Sequence, residues 1–188
     1  MPELIEPTVE LRTSWLESAA EWGGKYQEGT GMHEAGDDLA TVEGFRTWVE
    51  RLRELGDDSR ELDRPHATCR WIVEDGNYLG AVTLLHTLTD KLLDGGGHIG
   101  YSVRPSARGR GLATWALGQI LEVAREREMD RVLITCDEDN LASAKAIERN
   151  GGVLENIRET WLGPTRRYWI TLGTSRGGSR SPAVHPQD

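Results

Sequence analysis

Hydrophobic positions recur at helical spacing in the first third of the chain and at strand spacing afterwards. Apolar side chains three or four positions apart predict one helix over residues 11–22 and a second from Thr41 to near Leu55. The stretch Gly23 to Asp38 between them is acidic and too rich in glycine for a helix interior, so we expect a loop. The segment Thr8 to Leu11 fits a short strand.

From Ala67 the pattern changes to short β-rich runs separated by turns. The predicted strands are Cys69 to Glu74, Tyr78 to Leu85, His98 to Val103, Arg131 to Cys136, Val153 to Ile157 and Arg167 to Leu172. Two helices are predicted among them, Leu112 to Arg127 with a wide apolar face and Asn140 to Asn150 with Asn140 as its cap. We expect a loop over Thr87 to Gly97, which ends in three glycines.

Length and composition favour a single domain, which we place over residues 1–173, because the chain has 188 residues of which 37% are hydrophobic. Residues 174–188 are mostly Ser, Gly, Arg and Pro, and are predicted to be a disordered tail. No apolar run approaches the roughly 20 residues that span a bilayer, and the N-terminus is acidic rather than signal-like. The sequence therefore predicts a soluble cytoplasmic protein with no membrane partner.

The two cysteines, Cys69 and Cys136, lie in strand-like runs without metal-ligand spacing. Buried free thiols are the interpretation that this context favours, with a disulfide as the alternative. We expect no metal.

The acidic excess lies entirely at the N-terminal end. The net charge is −9, and residues 1–64 hold 16 acidic and 7 basic residues, whereas the rest of the chain is balanced. We expect no nucleic-acid binding, because it requires a basic footprint that displaces counterions from phosphates, and this chain has none at the scale of a domain. An acidic region of this size attracts a cationic partner, although a solvated helical surface explains it equally well.

The turn before the long helix carries the clearest chemistry. A strand that runs into a glycine-rich turn and then a helix leaves several backbone N–H groups unpaired at the positive end of the helix dipole. Gly109 and Gly111 allow close approach of an oxyanion, Arg108 and Arg110 add guanidinium donors, and Thr114 adds a hydroxyl. This pattern predicts a pyrophosphate site.

The spacing distinguishes three kinds of phosphate site. A dinucleotide fingerprint lacks its third glycine, and a P-loop lacks its Gly-Lys-Ser or Gly-Lys-Thr. Arg108-x-x-Gly111-x-Ala113, after a strand that ends Val-x-Pro, resembles the Arg/Gln-x-x-Gly-x-Gly/Ala motif of the GNAT superfamily of acyl-CoA-dependent N-acetyltransferases. The resemblance covers residues 67 to 172. It implies an α/β fold of the α+β type, with a mixed, mostly antiparallel sheet flanked by helices and splayed parallel strands at the CoA site.

The resemblance implies acetyl-CoA as co-substrate, with its pyrophosphate on the amides of the turn. Its pantetheine arm would pair with the strand backbone from Tyr101 to Val103 and contact the short helix from the far side. The implied cofactor-binding residues are Ser102, Val103, Arg108, Gly109, Arg110, Gly111, Leu112, Ala113, Thr114, Asn140 and Ser143.

Catalysis requires a neutral amine and a proton for the departing thiolate. His98 matches a position where many relatives have Glu, and its ordinary pKa near 6.5 suits a base, so it is the candidate base. The alternatives are that it orders the glycine loop or hydrogen-bonds across strands. The tyrosine that many relatives carry on the short helix is replaced by Ile147, so the candidate acid is Tyr101, with Tyr168 or solvent as alternatives.

We expect direct attack on the thioester rather than an acyl-Cys136 intermediate, because no base accompanies that thiol in the sequence. The candidate acceptor-binding residues are Trp22, His86 and Asp137. The alternative for Trp22 is core packing, and Asp137 and its acidic neighbours could instead cap a helix.

The function expected first is acetylation of a primary amine on a small cationic molecule, with a homodimer left open. The alternatives are acetylation of a protein N-terminus or lysine, and a non-catalytic acyl-CoA sensor.

Overall fold

The computed structural model describes residues 1–31, 38–59 and 61–173. Its strands are β1 (Glu3–Ile5), β2 (Ala67–Glu74), β3 (Asn77–Leu85), β4 (Ile99–Val103), β5 (Arg131–Asp137), β6 (Val153–Thr160) and β7 (Gly163–Thr171). Its helices are α1 (Arg12–Trp22), α2 (Val42–Glu54), α3 (Asp90–Gly95), α4 (Leu112–Glu126) and α5 (Leu141–Arg149), and 3-10 turns cover Val9–Leu11 and Pro105–Ala107.

The strands form two antiparallel sheets, β1-β2-β3-β4 and β5-β7-β6. The sheets meet where the His98 N–H donates to the carbonyl oxygen of Leu133 at 2.7 Å. Tyr101 lies near Cys136, so the contacts advance in the same direction along β4 and β5, as in a parallel pair. Beyond His98, no backbone hydrogen bond joins these two strands within the described ranges. The expected antiparallel sheet flanked by helices is confirmed. At the junction itself, Gly97 and Ile134 form an isolated antiparallel bridge.

Helices cover both faces of the first sheet. On one face α4 packs into an aliphatic core that includes Leu117 and Ile120, because its apolar side chains recur every three or four residues. On the other face α1 and α2 bury an aromatic cluster in which Trp15 and Trp48 have ring centroids 5.1 Å apart. The acidic helices are therefore held to the sheet by their aromatic stripes, while their charged side chains face solvent.

Two local predictions are wrong. The segment Thr8 to Leu11 contains a 3-10 turn rather than a strand, and the N-terminal strand is β1, which pairs with β2. Within the predicted loop Thr87 to Gly97 lies the short helix α3, whose first turn is capped by the Thr89 hydroxyl. A helix of six residues is too short to show a hydrophobic period.

Residues 32–37 of the predicted loop and the predicted tail after residue 173 lie outside the described residues. In the part of the chain that the structure describes, no helix is long and apolar enough to span a bilayer. Within the same part, His, Cys, Asp and Glu side chains do not gather in groups of three that could hold a metal ion. Cys69 and Cys136 are both free thiols. Cys69 is buried as predicted, whereas Cys136 is only half-buried.

Candidate active site at the divergence of β4 and β5

The turn before α4 presents a row of unpaired backbone amides. Gly109 and Gly111 both have φ of +78°, a left-handed conformation that favours glycine. The first backbone bond of α4 runs from the Trp115 N–H to the carbonyl oxygen of Gly111 at 3.0 Å. The N–H groups of residues 109–114 have no acceptor among the described residues. They form an anion seat at the positive end of the helix.

The two arginines of the turn are held by protein groups. The Arg108 guanidinium lies 4.7 Å from the centre of the Trp22 ring, and its Nε donates to the carbonyl oxygen of Val103 at 3.3 Å. Arg110 forms an ion pair with Glu74 of β2. Because both side chains are anchored, the free amides are the principal anion ligands of this turn, and the guanidinium groups add positive charge around them.

The end of α1 fastens the segment that leads into the turn. The Glu21 carboxylate accepts from the Ser106 backbone N–H at 2.9 Å and from Arg104 Nε at 2.6 Å. The Ser106 bond, followed by the bonds from Arg104 and the Ser106 hydroxyl, holds the pKa of Glu21 below its usual value despite partial desolvation. Trp22 follows directly, so the structure places this predicted acceptor residue beside the anion seat instead.

The backbone of β4 is free on the side that faces the gap, apart from the Val103 carbonyl, which accepts from Arg108 Nε. Arg104 N–H donates to the carbonyl oxygen of Leu79 on β3 at 2.7 Å, and hydrogen-bonding groups alternate in direction along an antiparallel strand. The backbone groups of Ser102 therefore face β3, whereas those of Tyr101 and Val103 face the gap. Of the predicted pantetheine partners on this strand, the geometry leaves both backbone groups of Tyr101 and the N–H of Val103 available.

The N-terminus of α5 forms the opposite wall of the gap. The Asn140 side chain accepts from the Ser143 N–H at 3.0 Å and caps the helix, a role that leaves Asp139 without a capping bond. The Tyr101 hydroxyl donates across the gap to the carbonyl oxygen of Ser143 at 3.4 Å. Burial raises the pKa of Tyr101 to about 12. Ile147 is buried in the core and brings no polar group to the gap.

His98, the candidate base, joins the two sheets. Its Nδ1 accepts from the Leu133 N–H at 2.9 Å, and its own backbone N–H donates to the carbonyl oxygen of the same residue. Burial lowers the pKa of His98 to about 4. With Nδ1 engaged as an acceptor, the neutral ring carries its proton on Nε2, so neither nitrogen has a lone pair free for an incoming amine. The geometry therefore favours the alternative interpretation, in which His98 hydrogen-bonds across the strands.

Residues 27–30 of the loop between α1 and α2 pass over β4, and we call them the loop segment. Gln27 and Thr30 are 3% and 1% exposed, and the Thr83 hydroxyl donates to the carbonyl oxygen of Gly29 at 2.7 Å. A side chain at Gly29, where φ is +72°, would collide with the carbonyl oxygen of Gly100. This close backbone contact fixes the segment on the sheet.

Glu28 is the residue that the sequence argument missed. Its Oε2 atom lies 3.6 Å from the position that a Cβ on Gly100 would occupy. The side chain is exposed, yet partial desolvation and then the charge of Asp137 raise its pKa. Glu28 has no hydrogen bond or ion pair within the described ranges. No local signal separates it from the other acids of a glycine-rich loop, because its position depends on the contact between Gly29 and Gly100.

Asp137 ends β5 and lines an open cleft of about 380 Å³. The other lining residues are Glu138, Asp139, Leu162 and Pro164. The charge of Asp137 acts on Glu28, so the structure brings this predicted acceptor residue close to the loop segment that crosses β4.

His86, the third predicted acceptor residue, lies at the opposite end of β3 from the anion seat. Its Nε2 bonds the Thr68 hydroxyl at 2.9 Å and its Nδ1 bonds Asp58 at 3.2 Å. Asp58 also pairs with Arg127 just beyond α4. Burial lowers the pKa of His86, with the Arg127 charge acting in the same direction. The structure thus separates both Trp22 and His86 from Asp137.

An anion seat at a helix N-terminus, followed by a strand backbone that is free beside a gap, defines a protein that binds a pyrophosphate with an extended arm. The chain belongs to the acetyltransferase (GNAT) domain family, which matches residues 10–153. It is an acetyl-CoA-dependent acyltransferase, as the sequence motif predicts.

Solved structures of acetyltransferases share the fold. RimJ of Mycobacterium smegmatis in complex with CoA-disulfide is 19% identical, with a TM-score of 0.68 over 90% of this chain and 81% of that one. A Salmonella typhimurium acetyltransferase that modifies the N-terminal serine of ribosomal protein L7/L12 is 17% identical, with a TM-score of 0.64 over 90% and 94%. The microcin C7 immunity acetyltransferase MccE, in complex with acetyl-CoA and AMP, is 15% identical, with a TM-score of 0.63 over 90% and 92%. None of the curated proteins matches the sequence.

Proposed function

We propose that this protein transfers the acetyl group of acetyl-CoA to the α-amine of a protein N-terminus. The observation that carries the proposal is the open cleft at the end of β5, which combines the carboxylates of Asp137, Glu138 and Asp139 with the apolar side chains of Leu162 and Pro164. Exposed Trp161 extends the apolar surface beside it. A cationic amine followed by a peptide suits such a cleft, because the carboxylates attract the ammonium and the apolar wall contacts the side chains that follow.

The relatives support the same acceptor class. The Salmonella typhimurium protein acts on an N-terminal serine, and a Vibrio fischeri structure with the same fold is a ribosomal-protein-S5-alanine acetyltransferase. The sequence alone predicts a small cationic amine as the acceptor, with a protein N-terminus or lysine as the alternative. The relatives favour the second. The acidic N-terminal region can attract either kind of acceptor, since both carry a positive charge before transfer.

The co-substrate is seated by the backbone. The amides of residues 109–114 bind the pyrophosphate, and the backbone groups of Tyr101 and the N–H of Val103 pair with the pantetheine arm along β4. Asn140 and Ser143 border the arm from α5. Because the gap closes where His98 bonds Leu133, the arm ends before that point, and the thioester lies near Gly100.

Transfer proceeds by direct attack in this proposal. Burial raises the pKa of the Cys136 thiol to about 11, so a thiolate nucleophile at that position is disfavoured. Tyr101 is the proposed proton donor to the departing CoA thiolate, because its hydroxyl lies in the gap and its pKa keeps it protonated at neutral pH.

A panel of acceptors tests the proposal. The chain is incubated with acetyl-CoA and with peptides that have a free N-terminus, N-blocked peptides that contain lysine, or polyamines. Free CoA is measured by its reaction with DTNB, and the acetylated position by mass spectrometry. We expect acetylation of the α-amine alone. Turnover of polyamines only would restore the small-molecule acceptor, and acetyl-CoA binding without CoA release in any mixture would indicate the sensor.

A further inference from the structure

The loop segment that crosses β4 places one carboxylate at the end of the proposed pantetheine path. Gln27 and Thr30 are buried on either side of Glu28, and the Gly29 carbonyl is tied to Thr83. The backbone of this segment is therefore fixed on β4, and the Oε2 atom of Glu28 lies beside Gly100. From this geometry we propose that Glu28 is the general base of acetyl transfer and accepts a proton from the acceptor ammonium. This inference rests on the proposed function.

The location suits the reaction because the thioester and the acceptor meet there. The co-substrate arm runs from the anion seat back along β4 and stops before His98, which leaves its reactive end at Gly100. The acceptor enters from the acidic cleft at the end of β5, where Asp137 lies. Glu28 is positioned between these two approaches, on the side of β4 that carries α1 and α2.

The electrostatic surroundings of Glu28 suit a base. The groups that face it are Asp137 from β5 and Tyr26 from its own loop, and β4 contributes the backbone of Gly100 and the neighbouring Tyr101. Desolvation, followed by the Asp137 charge, raises the Glu28 pKa and thereby makes the carboxylate a stronger proton acceptor. Burial and the charge of Glu28 raise the pKa of Tyr26, so the phenol stays neutral.

Other titratable groups of the gap are less suited to the task. Nδ1 of His98 is occupied by the Leu133 N–H, and Tyr101 and Cys136 hold their protons because burial raises both pKa values. Asp137 lies at the mouth of the cleft and is exposed, which suits attraction of the ammonium.

The step balances in protons and electron pairs. The ammonium gives one proton to the Glu28 carboxylate, and the freed nitrogen lone pair forms the new N–C bond at the thioester carbon. The C–S bond breaks, and its electron pair leaves with the CoA sulfur. Tyr101 protonates that sulfur, and the second proton that the nitrogen loses on becoming an amide restores the Tyr101 hydroxyl. The products are the N-acetyl acceptor, CoA thiol and neutral Glu28, which returns its proton to solvent.

Steady-state kinetics of Glu28→Gln against pH test the inference, with the full chain and the amine that the acceptor panel identifies. We expect kcat/KM to fall by about 100-fold or more, the range for loss of a general base. The wild type should lose activity as pH falls through the raised pKa of Glu28. The pH–rate profile of the variant should lack this acidic limb but keep the limb that reflects protonation of the acceptor amine. Glu28→Asp should retain the limb at a reduced rate.

The matched control is Glu50→Gln, which removes an exposed carboxylate from α2 and should change neither rate nor pH profile. Acetyl-CoA affinity, measured by calorimetry, should stay within about twofold in all variants, because the anion seat is untouched. If the wild type is active and Glu28→Gln has the same rate and pH profile, Glu28 is not the base, while the proposed function stands. A wild-type chain that acetylates no amine would overturn the proposed function, and the base with it.

Discussion

The anion seat and the loop segment over β4 are built in opposite ways. The seat uses backbone amides from consecutive residues, 109–114, whose direction follows from two left-handed glycines and the start of α4. The loop segment uses the Glu28 side chain, whose position depends on a backbone contact between Gly29 and Gly100. The first is local in sequence and the second is not.

This difference explains what each region can contribute. Amides at a helix N-terminus bind any pyrophosphate of suitable reach, so the seat defines the co-substrate and little else. In the proposed mechanism, the Glu28 carboxylate beside Gly100 of β4 sets where the acceptor amine loses its proton. Co-substrate affinity and acceptor chemistry should therefore respond to different substitutions.

The largest effect is expected for Gly111→Val at the seat. A β-branched residue at φ of +78° is strained, and the turn loses the alignment of its amides. We expect acetyl-CoA affinity to fall about 100-fold by calorimetry, since strain and lost charge-assisted hydrogen bonds each cost roughly 1–3 kcal/mol. Gly151→Val is the control, because it has a similar φ of +86° after α5 and also meets no atom within 4 Å. Equal losses in the two variants would contradict a specific role for the turn.

A smaller effect is expected for Gly29→Ala, which should displace the loop segment from β4. The new Cβ would lie against the Gly100 carbonyl and 2.9 Å from the Cα of Tyr101. We expect kcat/KM for the acceptor to fall roughly tenfold with acetyl-CoA affinity kept, as a small misplacement of a catalytic group costs a factor of this order or more. Gly24→Ala carries the same backbone strain at φ of +77° but meets no atom within 4 Å. Similar kinetics in Gly29→Ala and Gly24→Ala would show that the loop segment with Glu28 does not belong to the active site.

The sequence predicted the seat because its determinants lie within a few residues of one another. Glycine, arginine and helix-start signals between Arg108 and Thr114 were sufficient, and the alternation of strands and helices predicted the sheet around them. The proposed acceptor side is harder to predict from the sequence. The bond that occupies Nδ1 of His98 comes from Leu133, 35 positions away, so nothing near His98 in the chain indicates it. Glu28 gives no local signal, because its contact with β4 joins residues that no periodic pattern relates.

Substitution of His98 should affect stability more than chemistry. His98→Leu leaves the Leu133 N–H without its acceptor, which should lower the free energy of unfolding by about 1–3 kcal/mol in urea titrations. His98→Gln, whose carbonyl can accept the same bond, should lose less. Both variants should retain the acidic limb of the pH–rate profile. Loss of that limb in His98→Gln would return His98 to the role of base.

The same histidine should also make stability depend on pH. The unfolded chain protonates it near its ordinary pKa of 6.5, whereas the folded protein resists protonation down to about 4. The folded state thus binds fewer protons between these values, so its free energy of unfolding should fall as pH is lowered from 6.5 to 4. His98→Gln should flatten that part of the profile, and an unchanged slope would contradict the burial of a neutral ring.

The smallest effect is expected for Trp22→Leu. The ring positions the Arg108 guanidinium beside the seat, and a cation–π contact at a partly exposed site is worth about 0.5–1 kcal/mol. We expect acetyl-CoA affinity to fall about two- to fivefold with kcat unchanged. A large change in acceptor KM instead would return Trp22 to the acceptor site.

The most direct test of this division measures two quantities on two variants: the acetyl-CoA dissociation constant by calorimetry, and kcat at saturating acetyl-CoA and acceptor. Gly111→Val should weaken acetyl-CoA binding and recover most of its kcat at saturation. Glu28→Gln should bind acetyl-CoA as the wild type does and lose kcat. If both variants instead changed the same quantity, the anion seat and the loop segment would not be separate devices, and the account would be contradicted.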